Sequence, residues 1–285
     1  AGVDHRVRQA ALVLGDVQVG SGTLTVSGTG ITQAVGSTIT QAASAGAAQF
    51  DAGVGALQLA NANTFTGAVS LKNSGANNVT LNNGANALTL GTSTLGSGTF
   101  NLTGTGQTTL AGNLSTSGGA IALSGPITLG AASTGVDTTD GGSVAAGAAI
   151  TFNGAVNGAS TLTLNAGTGG TVTLGGAVGA ATTLTGLDVT AGSFSANTLN
   201  IGTGGLAVTT RAGDITQGGA FTVTGASSFD AGAHAIALAN TNNHFTGAVS
   251  LANSDANDVT LNNGANALEL GDVQVGSGAL TVSGV

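Results

Sequence analysis

Apolar, small polar, apolar triplets recur along the whole chain at a spacing of roughly ten residues. Examples are Leu24-Thr25-Val26, Leu57-Gln58-Leu59, Val79-Thr80-Leu81, Phe100-Asn101-Leu102, Leu162-Thr163-Leu164, Phe221-Thr222-Val223 and Val259-Thr260-Leu261. A period of two with an apolar outer pair predicts a short strand with one buried face. Glycine- and asparagine-rich steps such as Asn82-Asn83-Gly84-Ala85-Asn86 separate the triplets and predict turns. Gly and Thr interrupt every window that could form a long helix, so the expected class is all-β.

Long-range copies decide between a stack of coils and a meander of hairpins. The segment Phe50 to Gly91 returns as Phe229 to Gly271, offset by 180 residues after one insertion before Phe245. The phrase LGDVQVGSGTLTVSG at Leu14 to Gly28 returns at Leu270 to Gly284, and more loosely at Leu90 to Gly104, 76 residues on. Since 76 is four times 19, the expectation is a parallel β-solenoid of about 19–20 residues per coil, roughly 14 coils and a rod of about 65–70 Å. Asn-Gly steps also suit hairpins, but coherent copies over this distance favour coils that bury their apolar faces against neighbours. Residues 1–285 are expected to form a single continuous solenoid, with Ala131 to Ala149, where the triplet pattern is weakest, as an irregular loop or projection. Pro126 fits a corner leading into a strand.

Composition restricts how such a rod is filled. Of 285 residues, 51 are Gly, the 8 Phe are the only aromatics, and Cys, Met, Trp and Tyr are absent. The core must therefore consist of Val, Leu, Ile and a few Phe. Rung-to-rung hydrogen bonds and amide ladders are needed to offset the entropy of ordering so much glycine. Four basic against 12 acidic residues, net −8, leave no basic surface for a phosphate backbone, and no nucleic-acid partner is expected. No apolar run is long enough for a helical membrane span. Ala1 to Ala10 lack a signal segment and an initiator Met, and read as a cut from a longer chain or a mature form.

With Val79 to Gly91, Val259 to Gly271 and Leu162 to Gly175 in view, the chain resembles the repeat region of filamentous haemagglutinin-like exoproteins, large bacterial adhesins of two-partner secretion or autotransporter-passenger type. The resemblance implies a right-handed parallel β-helix, exported through an outer-membrane secretion pore and secreted or displayed at the bacterial cell surface. It implies adhesion to a host-cell, matrix or bacterial-surface ligand through loops or other parts of the parent protein. No secretion domain and no membrane barrel are recognisable.

Chemistry-bearing residues are sparse. His234 and His244 lie near Asp230 and Asn240, but their spacing puts them on different sides of a coil, so no metal site is assigned. Asp137 with Asp140 and Asp255 with Asp258 are the acidic pairs that a polysaccharide-cleaving β-helix would need. Without Trp or Tyr to hold a sugar, they read as turn residues, and no catalytic residue or cofactor is assigned. The expected function is a structural stalk or adhesive segment. Alternatives are a fibre-forming or surface-layer protein, with end-to-end self-association, and an ice-binding solenoid, although Thr-x-Thr does not recur in every coil. The expected contact loops are Ala131 to Ala149, Asn61 to Thr64 and Asn240 to His244.

Overall fold

The computed structural model describes residues 11–285, so the reading of Ala1 to Ala10 lies outside the described residues. The chain winds as a right-handed parallel β-solenoid with three strand positions per coil. The first position forms a stack of 13 strands, from Leu12–Leu14 through Ile31–Gln33, Leu57–Leu59 and Val79–Leu81 to Val259–Asn262 and Leu280–Ser283. The second runs from Val17–Val19 and Ile39–Gln41 through Leu88–Leu90, Thr108–Leu110 and Ile127–Leu129 to Phe221–Val223 and His244–Phe245. The third runs from Leu24–Ser27 and Ala48–Asp51 through Ser133–Asp137 and Thr161–Asn165 to Val249–Ala252 and Leu270–Gln274. Pairing joins the second and third stacks where the strand Leu199–Thr210 rounds their shared corner. Its first half pairs with Phe221–Val223 and its second with Ser227–Asp230.

Each triplet points its outer residues inward and its middle residue out, because a strand alternates faces. Leu57, Leu59, Val79, Leu81, Phe100 and Leu102 are all buried, while Gln58, Thr80 and Asn101 face outward. The interior is one continuous apolar cluster, and each fully buried aliphatic side chain contributes about 1.5–3 kcal/mol. Aromatic bulk recurs in both long copies: Phe50 meets Phe65 edge-on at 5.8 Å, and Phe229 meets Phe245 at 6.0 Å.

The coil is longer than the sequence period suggested. Ile31 faces Leu57, Leu57 faces Val79, Val79 faces Phe100 and Phe100 faces Ile121, steps of 26, 22, 21 and 21 residues. The shortest first-stack step, 19, joins Leu12 to Ile31, and the longest, 29, joins Ile121 to Ile150. The 13 rungs span about 58 Å at strand spacing, shorter than the rod expected from 14 coils. The error came from the 76-residue copy, which moves the phrase to a different face. Leu14 lies in the first stack and Leu90 in the second, while Leu24–Ser27 lies in the third and Phe100–Leu102 in the first. The 180-residue offset is the true structural period, carrying Val79 to Val259 on the same face through eight coils.

Corners explain much of the glycine. A Cβ on Gly96 would sit 1.9 Å from the carbonyl oxygen of Gly75 one coil below, and a Cβ on Gly154 equally close to that of Gly125. These backbones approach too closely for any side chain.

Candidate interaction surface

The outward columns differ in charge. Between residues 31 and 268 every Asp, Lys and Arg lies on the third stack or on the corner leading from it to the first. Asp51, Lys72, Asp137, Asp188 and Asp230 belong to third-stack strands, whereas Asp140, Arg211, Asp214, Asp255 and Asp258 belong to that corner. The second stack faces away from it. Its outward column includes Thr40, Thr64, Thr89, Thr109, Thr128, Asn157, Asn200, Thr222 and His244. The two corners bounding it carry no Asp, Glu, Lys or Arg over the same span. Val35, on the corner between first and second stacks, is fully exposed.

The turns expected to make contacts divide into structural and free parts. Within Asn61 to Thr64, Asn63 is fully buried. Its Oδ1 accepts from the Ile39 amide at 2.9 Å and from Gln33 Nε2 at 2.8 Å, and its Nδ2 donates to the Asn82 carbonyl at 3.1 Å. Within Asn240 to His244, Asn243 repeats this pattern with the Phe221 amide, Gln217 and the Asn262 carbonyl. The next rung extends each ladder, with Asn83 Oδ1 accepting from Phe65 N and Asn263 Oδ1 from Phe245 N, both at 2.7 Å. Buried amides need all their partners, so these asparagines hold the corner between first and second stacks and are not open to a ligand. Ala62, Thr241, Asn242 and His244 remain exposed.

The segment Ala131 to Ala149 is only partly irregular. Ser133–Asp137 is a regular third-stack strand paired with Thr161–Asn165, and the projection proper follows it. Asp137 shapes that projection: Oδ1 accepts from the amide and hydroxyl of Thr139 at 2.7 and 2.6 Å, and Oδ2 from the Gly141 amide at 2.8 Å. Asp140, Gly141 and Gly142 take positive φ at its tip, and 140–143 are exposed.

The other acidic candidates bind backbone. Asp214 Oδ1 accepts from the Ala235 amide at 3.0 Å and Asp258 Oδ1 from the Ala279 amide at 2.8 Å, each just before a first-stack strand. Asp255 takes positive φ in a turn. Asp230 pairs with Arg211 at 2.9 Å, and that hydrogen bond, opposed by partial burial, holds its carboxyl below the ordinary value. His234 sits at the charged corner and His244 on the second stack, so the structure does not bring them together. Among the described residues no three His, Asp or Glu side chains gather as metal ligands would. The sequence reading missed the buried Gln-Asn-Asn ladders and the one-sided charge. Gln33, Asn63 and Asn83 recur as Gln217, Asn243 and Asn263, which was the available signal.

No curated protein and no solved structure matches the chain. A family model described as repeats of unknown function (DUF5649) matches residues 2–72 and 178–252, together just over half of the chain. Both segments run to the third-stack strands Val69–Lys72 and Val249–Ala252, the same rung of the two long copies. The chain therefore belongs to the family of repeats of unknown function (DUF5649).

Proposed function

We infer that the chain is a structural stalk or adhesive segment of a secreted or surface-displayed bacterial exoprotein. The observation that carries this reading is the continuity of the rod: one apolar core and one 13-strand stack run through it without a domain break. Such an element spans distance cheaply, since every coil is held by its neighbours. Contact with a host cell, matrix or neighbouring bacterium is assigned to the exposed tip 140–143 and to the exposed parts of the polar turns, or to other parts of the parent protein. Export through an outer-membrane pore fits a chain with no Cys, whose coils form by local addition. The ice-binding alternative is weakened because Gln58, Asn101, Ala122 and Ala237 interrupt the hydroxyl column of the first stack.

Antibodies against the chain, applied to intact and to permeabilised cells of the producing bacterium and to culture fluid, test the location. Labelling of intact cells or recovery from the fluid is expected; signal only after permeabilisation would end the proposal. Beads coated with the chain should adhere to cells, and the same beads carrying a variant with 140–143 replaced by a plain turn should adhere less.

A further inference from the structure

We propose that the second-stack face is a lateral docking surface for a second copy of this chain, two rods lying side by side with their acidic flanks turned outward. The argument begins with charge. A molecule of net charge −8 repels its own copies, yet its carboxylates are confined to the third stack and the corner opposite this face. Apposing two second-stack faces keeps the acidic flanks of both copies behind their own cores. The thickness of each, about one sheet-to-sheet distance of 10 Å, exceeds a Debye length of about 8 Å at physiological salt. Any pairing through the third stack would instead bring Asp51, Asp188 and Asp230 against their mates.

Shape and size agree. Thr40, Thr89, Thr109, Thr128 and Thr222 stand in an outward column of short hydroxyl side chains, and Val35 adds an exposed apolar contact on the adjoining corner. About ten rungs of about 4.8 Å, by about 10 Å of strand, give on the order of 500 Å² per copy and 1,000 Å² per pair, the lower edge of specific interfaces. Association is therefore expected to be weak and concentration-dependent. A two-fold axis along the rods would set each rung against its own mate, so the patch need only be complementary to itself.

Sedimentation velocity of the full chain across a concentration series tests this. A monomer–dimer equilibrium is expected, with Thr89→Asp plus Thr109→Asp weakening it at least tenfold and Ser115→Asp plus Thr163→Asp on the third stack leaving it unchanged. Circular dichroism and melting of each variant confirm that the rod is intact. Because the chain has no cysteine, Thr109→Cys supplies a single crosslinking point far from both ends, and a short bis-maleimide should couple it to its mate far more than it couples Thr163→Cys. A chain that stays monomeric to about 1 mM, a dimer indifferent to the second-stack charges, or crosslinking through Thr163→Cys alone would each overturn the proposal.

Discussion

Asn63 shows what a single residue does in this fold. Its carboxamide is buried and serves Ile39, Gln33 and Asn82 at once, so Asn63→Ala strands several backbone and side-chain groups. A loss of about 2–3 kcal/mol is expected in urea titration, with faster hydrogen exchange at the Ile39 amide. The reverse holds for Thr134, whose buried hydroxyl has no partner on a rung where Val136 and Leu164 are apolar. Thr134→Val should stabilise by about 1 kcal/mol, measured as a raised denaturation midpoint. Asp230 links stability to pH. Its folded-state pKa is lowered chiefly by the Arg211 hydrogen bond, so its contribution is present above the ordinary value of 3.8 and is lost as pH falls below it. The pair is exposed, so Asp230→Asn should flatten the acid limb of the stability curve by no more than about 1 kcal/mol.

At the scale of the element, strands here are interchangeable and corners are not. The phrase LGDVQVGSG followed by Thr or Ala and LTVSG occupies first, second and third stacks near one end of the rod. Near the other end, its leading strand lies in the third stack and its closing strand in the first. An apolar, polar, apolar triplet fits any face because all three faces ask for the same alternation. Corners are specific, because there the backbone of one coil touches that of the next. Gly96→Ala should cost about 2–4 kcal/mol, whereas Gly15→Ala, whose Cβ meets nothing within 4 Å, should change the melting temperature little.

For the whole molecule, stability is a sum over neighbouring coils. Amides in central rungs such as Leu123 and Val172 should therefore exchange far more slowly than those of Leu12 and Leu280, by hydrogen exchange with mass spectrometry, as the rod frays from its ends. Uniform protection along the chain would mean a single cooperative unit instead. The same linear build gives the rod its sidedness, since a residue placed at one point of the coil lies in one column for as long as the period holds. Eight coils of drift in coil length still return Val259 to the face of Val79.

The all-β class, the stacking of coils and the buried residues of nearly every triplet were legible in the chain, because period-two alternation and long-range copies are local records of burial. Asn at corners was legible too, though not which Asn would be interior. Asn63 and Asn61 stand two residues apart in similar surroundings, and only the path of the neighbouring coil buries the former. Coil length, the face each triplet occupies and the confinement of charge to one flank were decided by the tertiary structure. A triplet carries no mark of its face; what assigns it is the number of residues each corner consumes, set by backbone contacts between coils that are about 21 or more residues apart.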